Sequence, residues 1–111
     1  MENKIAVTLF ASLAQETRLA LYRLLVQTGP TGLAAGDIAE AMRLPASTLS
    51  FHLKELAQAG LIQSRQSGRF IYYSADFDRM NALLAFLTEN CCGGDLSCCT
   101  ITPINTPEHQ P

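Results

Sequence analysis

LPASTLSFHLKELAQAG, spanning Leu44 to Gly60, has the marks of a helix with two unlike faces. Pro45 suits a first helical turn, where its fixed φ and missing N–H cost nothing. Gly60 suits the left-handed position that closes a helix. Leu49, Leu53 and Leu56 recur at i, i+4 and i+7, a single apolar stripe. At about 100° per residue, Ser47, Phe51 and Lys54 fall on the opposite side, with Thr48 and Ser50 at its edges. A short, polar, weakly basic face of this kind is either a solvated surface or one that enters a DNA major groove. Its neighbours decide.

Upstream, Ala35 to Met42 reads as a short helix with Ile38 and Met42 at i and i+4, and Arg43-Leu44 makes a tight turn. Two helices joined by so short a turn, the second with a polar outer face, form the helix-turn-helix pattern. Downstream, Leu61 to Gln66 and Arg69 to Ser74 carry Ile62, Phe70, Ile71, Tyr72 and Tyr73 on either side of Ser67-Gly68. This reads as a β-hairpin with Arg65 and Arg69 near its tip. A hairpin following a groove-reading helix is a wing, and basic residues at a wing tip meet phosphate or a minor groove.

The fold expected is mainly α with a small β-hairpin, a winged helix-turn-helix. Two further amphipathic helices flank it. Lys4 to Ala14 places Ile5, Leu9 and Leu13 on one stripe with Phe10 beside it. Glu16 to Thr28 turns Leu21, Leu24 and Leu25 inward, flanked by Leu19 and Tyr22, and ends at the breaker Gly29-Pro30-Thr31-Gly32. After Asp76, a plausible N-cap, comes a stripe of Met80, Leu83, Leu84 and Leu87. Surplus amphipathic helices at both ends of so small a domain point to a homodimer.

With 111 residues, 48% of them hydrophobic, the chain is a single globular domain. No apolar run approaches the roughly 18 residues of a membrane span. The N-terminal apolar residues are helically spaced, so they read as a helix and not a leader, and a cytoplasmic protein is expected. Net charge is −2, yet Arg43 to Arg69 holds Arg43, Lys54, Arg65 and Arg69 against Glu55 alone. A locally basic face on an acidic body is compatible with phosphate contacts. The candidate DNA contacts are Ser47, Thr48, Ser50, Phe51 and Lys54 in the groove, with Arg65 and Arg69 on backbone or minor groove. His52 lies nearer the leucine stripe and reads as a hydrogen-bonded structural residue; Arg18 reads as a structural pairing residue.

All four cysteines, Cys91, Cys92, Cys98 and Cys99, cluster late in the chain. In a cytosolic protein such clustering points to metal or redox chemistry. Soft thiolates select soft ions, and trivalent arsenic and antimony favour three sulfurs in a pyramid. Adjacent cysteines ill suit a tetrahedral zinc cage, where Cys-x-x-Cys is usual. They can supply two pyramidal ligands if the backbone there is not helical, and Gly93-Gly94 lets the chain fold back so that Cys98 or Cys99 adds the third. A zinc site, a thiol–disulfide switch and inert thiols are the competing readings. No base, phosphate loop or oxyanion donor accompanies the thiols, and His109 lies in the tail, so an enzyme is not expected.

Several segments together resemble the ArsR/SmtB family of metal-responsive winged-helix repressors: Leu13 to Leu19, Asp37 to Ala41, Ser47 to Leu56, Ala59 to Ile62 and Gly68 to Tyr73. Within them Ser50, His52, Leu53, Leu56, Gly60 and Leu61, followed by Gly68, Arg69 and Tyr73, are the most specific. The resemblance covers about residues 5 to 90. It implies a homodimer that binds palindromic double-stranded operator DNA and is released by an inducer. One family version of the sensor places Cys-x-Cys before the first helix of the helix-turn-helix, where this chain has Leu33-Ala34-Ala35-Gly36. Another uses Asp and His on the last helix; Asp76 and Asp78 are present, but the histidines are His52 and His109. A third version has a vicinal pair after the last helix and a further thiol, which implies Cys91, Cys92 and Cys98, with Cys99 as alternative third ligand. The expectation is an As(III)- or Sb(III)-responsive repressor with no organic cofactor. Its parts are a DNA-binding and dimerisation domain over 1–90, an inducer segment over 91–99 and a disordered tail over 100–111. The alternatives are a redox or Zn/Cd-responsive repressor of the same fold, or a thiol metalloid carrier that does not bind DNA.

Overall fold

The computed structural model describes residues 1–94; the expectations for Cys98, Cys99 and the 100–111 tail lie outside them. In chain order come α1 (Asn3–Leu13), α2 (Glu16–Thr28), β1 (Leu33–Ala34), α3 (Ala35–Met42), α4 (Ala46–Gln58), β2 (Ile62–Ser67), β3 (Phe70–Ala75) and α5 (Phe77–Leu87). A short 3-10 turn over Cys91–Gly94 follows. The architecture is a winged helix-turn-helix, mostly helical with a small antiparallel sheet ordered β1-β3-β2. No helix among the described residues is long and apolar enough to cross a membrane.

The core is built from one face of each helix. Leu9 of α1, Leu21 and Leu25 of α2, Ile38 of α3 and Leu56 of α4 are fully buried, with Leu61 just beyond α4. Leu49 and Leu53 complete the α4 stripe as the spacing requires. Helix α4 starts one residue later than a proline at its first position would place it, because Pro45 is extended (φ −60°, ψ 149°) and stands at the N-cap. It ends in a Schellman closure: Leu61 N–H donates to Leu56 O and Gly60 N–H to Ala57 O, both at 3.0 Å, with Gly60 at φ +84°. At the other end of the wing, Asp76 Oδ1 accepts from Arg79 N at 3.0 Å and caps α5 as expected.

The structure departs from the expectations in four places. On α1 the buried residues are Ala6 and Leu9, with Leu13 half-buried, while Ile5 and Phe10 are exposed. The helix is set by packing on α2 and α4 through the narrow 6–9–13 face, which leaves the larger apolar residues on its two flanks. The hairpin strands run one residue later than the pattern suggested, because the turn is Gly68-Arg69 and Ser67 pairs with Phe70. Gly68 has φ +63°, the conformation that the first position of a two-residue hairpin turn demands. Finally, Leu33 and Ala34 form a third strand on Tyr73 and Tyr72. Gly32 permits that approach: a Cβ there would lie 2.4 Å from Tyr73 O. On α5, only Leu83 of the expected stripe is buried; Met80 is half-buried, and Leu84 and Leu87 are exposed.

The turn between α3 and α4 is closed by Arg43 in the left-handed conformation (φ 56°, ψ 46°), with Leu44 N–H donating to Ala39 O at 3.0 Å. Glycine is the usual occupant of such a position. Arg43→Gly is expected to stabilise the fold by about 0.5–1 kcal/mol, the relief of left-handed strain less glycine's backbone entropy. Chemical denaturation reads this as a raised midpoint at unchanged slope. Tyr22 gives a second test. Its hydroxyl is buried without a hydrogen-bond partner, and burial first, then the Asp76 charge, raises its pKa above the ordinary 10.0. The unfolded chain therefore loses this proton first. The associated stability is complete below pH 10.0 and is lost as pH climbs through the raised value. Asp76→Asn keeps a capping side chain and should lower the Tyr22 pKa in a spectrophotometric titration, while leaving it above ordinary because burial is the larger cause.

Candidate nucleic-acid interface and thiol pair

Once Leu49, Leu53 and Leu56 are buried, the rotation of α4 is fixed. Ser47, Ser50, Phe51 and Lys54 are exposed, and Thr48 is half-buried at the edge of that face. Phe51 stands 56% exposed, its ring edge-on to His52 at 5.5 Å between centroids. An unburied aromatic flanked by two hydroxyls and an ammonium is the chemistry that meets thymine methyls, base edges and phosphates. His52, by contrast, is 8% exposed. Its Nδ1 lies 3.4 Å from Arg18 Nη1, while Arg18 Nε donates to Ser12 O at 2.7 Å. Both residues have the internal pairing roles read from their positions.

The wing places its two arginines differently. Arg69 is exposed in the turn itself. Arg65 sits back along β2 opposite Tyr72, rather than at the tip. Its Nη2 donates to Thr31 O at 2.9 Å, and its guanidinium lies over the Tyr72 ring, 4.8 Å from the centroid. It ties the wing to the loop before β1 while keeping its charge on the exposed side. Arg43, outside the candidate contacts, is exposed at the turn that leads into α4. The only sequence signal for it was a bulky cation in a turn too short to avoid positive φ.

At the other end of the molecule, Cys91 N–H donates to Thr88 O at 2.9 Å, and the sulfurs of Cys91 and Cys92 are 3.4 Å apart. Asn90, Cys92, Gly93 and Gly94 all have positive φ, so the helix has ended and the chain turns on itself. Cys92 is disulfide-bonded. Among the described residues no group of three or more His, Cys, Asp or Glu could hold a metal ion.

Known proteins share the helix-turn-helix and wing. A family of helix-turn-helix domains matches residues 13–65. The arsenical resistance operon repressor of Bacillus subtilis (strain 168) is 35% identical over 94 residues, which are 81% of this chain and 86% of that protein. The chain belongs to the ArsR-like family of winged-helix transcriptional regulators. An ArsR-like transcriptional regulator from Rhodococcus sp. RHA1 superposes with a TM-score of 0.69 at 25% identity, over 83% of this chain and 84% of that one. A homodimeric winged helix-turn-helix DNA-binding domain from Mycobacterium bovis, described as a possible ArsR-family regulator, gives 0.62 at 27% identity, over 83% and 85%. For an ArsR-like regulator, α3 and α4 are the helix-turn-helix and β2–β3 the wing.

The unequal anchoring of the wing arginines is testable without DNA. Arg65→Ala removes a cation–π contact and a hydrogen bond and is expected to cost about 1 kcal/mol in urea unfolding. Arg69→Ala, an exposed turn position, should stay within about 0.5 kcal/mol of the parent.

Proposed function

We propose that this regulator is a homodimeric repressor that binds operator DNA through α4 and the wing and is released by As(III) or Sb(III) at Cys91, Cys92 and a third thiol. The observation that carries the inducer assignment is the sulfur pair at 3.4 Å in a left-handed turn just after the last helix. Two bonds of roughly 2.3 Å meeting at a near-right angle span about 3.3 Å, whereas a tetrahedral angle needs about 3.8 Å. The pair therefore suits a pyramidal soft ion better than zinc. Cys98 supplies the third sulfur, with Cys99 as its alternative. In the groove, Ser47, Thr48, Ser50, Phe51 and Lys54 read bases and position phosphates, and Arg69 and Arg65 hold the flanking backbone.

The dimer is supported by an apolar groove of about 400 Å³ between α1, α2 and α5, lined by Phe10, Leu13, Leu19, Met80, Leu84 and Leu87 among others. Several of these are exposed, among them Phe10, Leu19, Leu84 and Leu87. A second copy placing the same helices against this face buries both sets at once. Homodimeric assembly is also what the Mycobacterium bovis neighbour is described as having.

A second reading, a thiol–disulfide switch on the same fold, is supported by the same pair of adjacent sulfurs, 3.4 Å apart. Inducer binding needs the thiols reduced and deprotonated. Fluorescence anisotropy on DNA from the protein's own promoter, with a phosphine reductant, separates the readings. Arsenite is expected to weaken binding about a hundredfold, corresponding to about 3 kcal/mol of differential affinity between the two states. Cys91→Ser and Cys92→Ser should bind DNA normally and ignore arsenite, and one of Cys98→Ser and Cys99→Ser should match them. Binding that survives excess arsenite but is lost to a mild oxidant would establish the redox reading instead. In the same assay Lys54→Ala should reduce the slope of log K against log salt by about one, while Phe51→Ala weakens binding at unchanged slope.

A further inference from the structure

Arg18 links three helices: its backbone belongs to α2 and its guanidinium reaches α1 and α4. Arg18 opens α2, where its N–H is capped by Gln15 Oε1 at 2.8 Å. Its Nε donates to Ser12 O at 2.7 Å, one of the last carbonyls of α1, which lacks a helical partner and lies at the negative end of the helix dipole. Its Nη1 faces Nδ1 of His52, in the middle of α4, at 3.4 Å. Arginine is a permanent donor, so Nδ1 is the acceptor in this contact. Ser12 adds a parallel link, its Oγ 3.5 Å from Glu55 O one turn further along α4.

Burial of the leucine stripe sets α4 only as tightly as apolar packing can, since such contacts are non-directional. A planar cation with two of its N–H groups committed to two helices adds direction. His52 is held inside while its neighbour Phe51 points out, so a roll of α4 that moved His52 off Arg18 would sweep Phe51 and Lys54 across the groove. We infer that Arg18 and His52 form a strut that fixes the pose of the DNA-reading helix against α1 and α2, making both positioning residues for operator binding. The inference rests on α4 being the groove-reading helix.

The test uses the full chain and promoter DNA, with hydrogen exchange on the DNA-free protein as a second readout. His52→Leu keeps bulk and loses the acceptor; His52→Asn offers an amide oxygen close to where Nδ1 stands. His52→Leu is expected to weaken binding roughly tenfold, the worth of one hydrogen bond lost with a half-buried donor left unmet. His52→Asn should restore affinity to within about threefold of the parent, a rescue that a purely space-filling histidine would not show. Arg18→Met combined with His52→Leu should cost no more than the worse single change, since both remove one interaction. In the DNA-free protein His52→Leu should speed amide exchange in α4 and leave α5 unchanged. Equal affinities for His52→Leu, His52→Asn and the parent, additive losses in the double variant, or unaltered exchange in α4 would each overturn the strut. If the parent chain binds no promoter DNA, the DNA-binding reading fails, and exchange in α4 alone still decides whether the strut exists.

Discussion

Helix α4 can bury its leucines in only one rotational setting, and the functional surface follows from that. Leu49, Leu53 and Leu56 are sealed against Leu21, Leu25, Ile38 and Leu61. Each buried leucine contributes on the order of 1.5–3 kcal/mol. A rotation by one residue, about 100°, would expose part of that stripe and carry Lys54 toward the core, at a cost comparable to the stability of a small domain. So Ser47, Ser50, Phe51 and Lys54 face outward because the leucines face inward. The groove-reading surface is the reverse side of a packing decision.

The wing depends on how α4 ends. Gly60 turns left-handed, Leu61 drops into the core, and β2 starts at Ile62 with its first side chain still buried. From there the strand leaves the body and its remaining residues are exposed, so little apolar packing holds it. Register with β3, the short β1 ladder and the Arg65 tie to Thr31 and Tyr72 do that work instead. These are interactions of about 1 kcal/mol or less each. A wing held this lightly can adjust to a phosphate backbone, whereas α4 cannot. The basic residues are divided accordingly, with Lys54 on the rigid helix and Arg69 on the adjustable tip.

Much of this was legible in the sequence where a period and a breaker coincide. The α4 stripe between Pro45 and Gly60, the hairpin around Gly68 and the Asp76 cap all have that form. What escaped has no period to show. Two residues, Leu33 and Ala34, cannot display alternation, so β1 is visible only through its partner strand and the tight approach at Gly32. The one-residue offset of the hairpin came from choosing between Ser67-Gly68 and Gly68-Arg69, which the composition leaves equal. On α1 the pattern is amphipathic, but apolar residues facing outward look like core in a single chain, so Ile5 reads as part of the buried stripe and Phe10 as its neighbour. For the cysteines the sequence carries only a chemical expectation, and the 3.4 Å spacing of the Cys91 and Cys92 sulfurs has no sequence signature.

An inducer at Cys91 and Cys92 can weaken DNA binding only by favouring an arrangement in which α4 is wrongly placed. The buried core offers no such second arrangement, because close-packed leucines do not shift by degrees. The apolar groove does, since it is open in the single chain and bounded by α1, α2 and α5 together. The thiol pair sits directly beyond α5, so a change in how α5 ends bears first on that groove and on whatever covers it. From α1 the connection to α4 runs through Ser12, Arg18 and His52, all polar and directional. On the proposed reading, a sensor at the far end of the chain thus does not need to reach α4. It needs to change the setting of α5 and, across the groove, of α1 and α2, which are tied to that helix by hydrogen bonds whose strength depends steeply on angle.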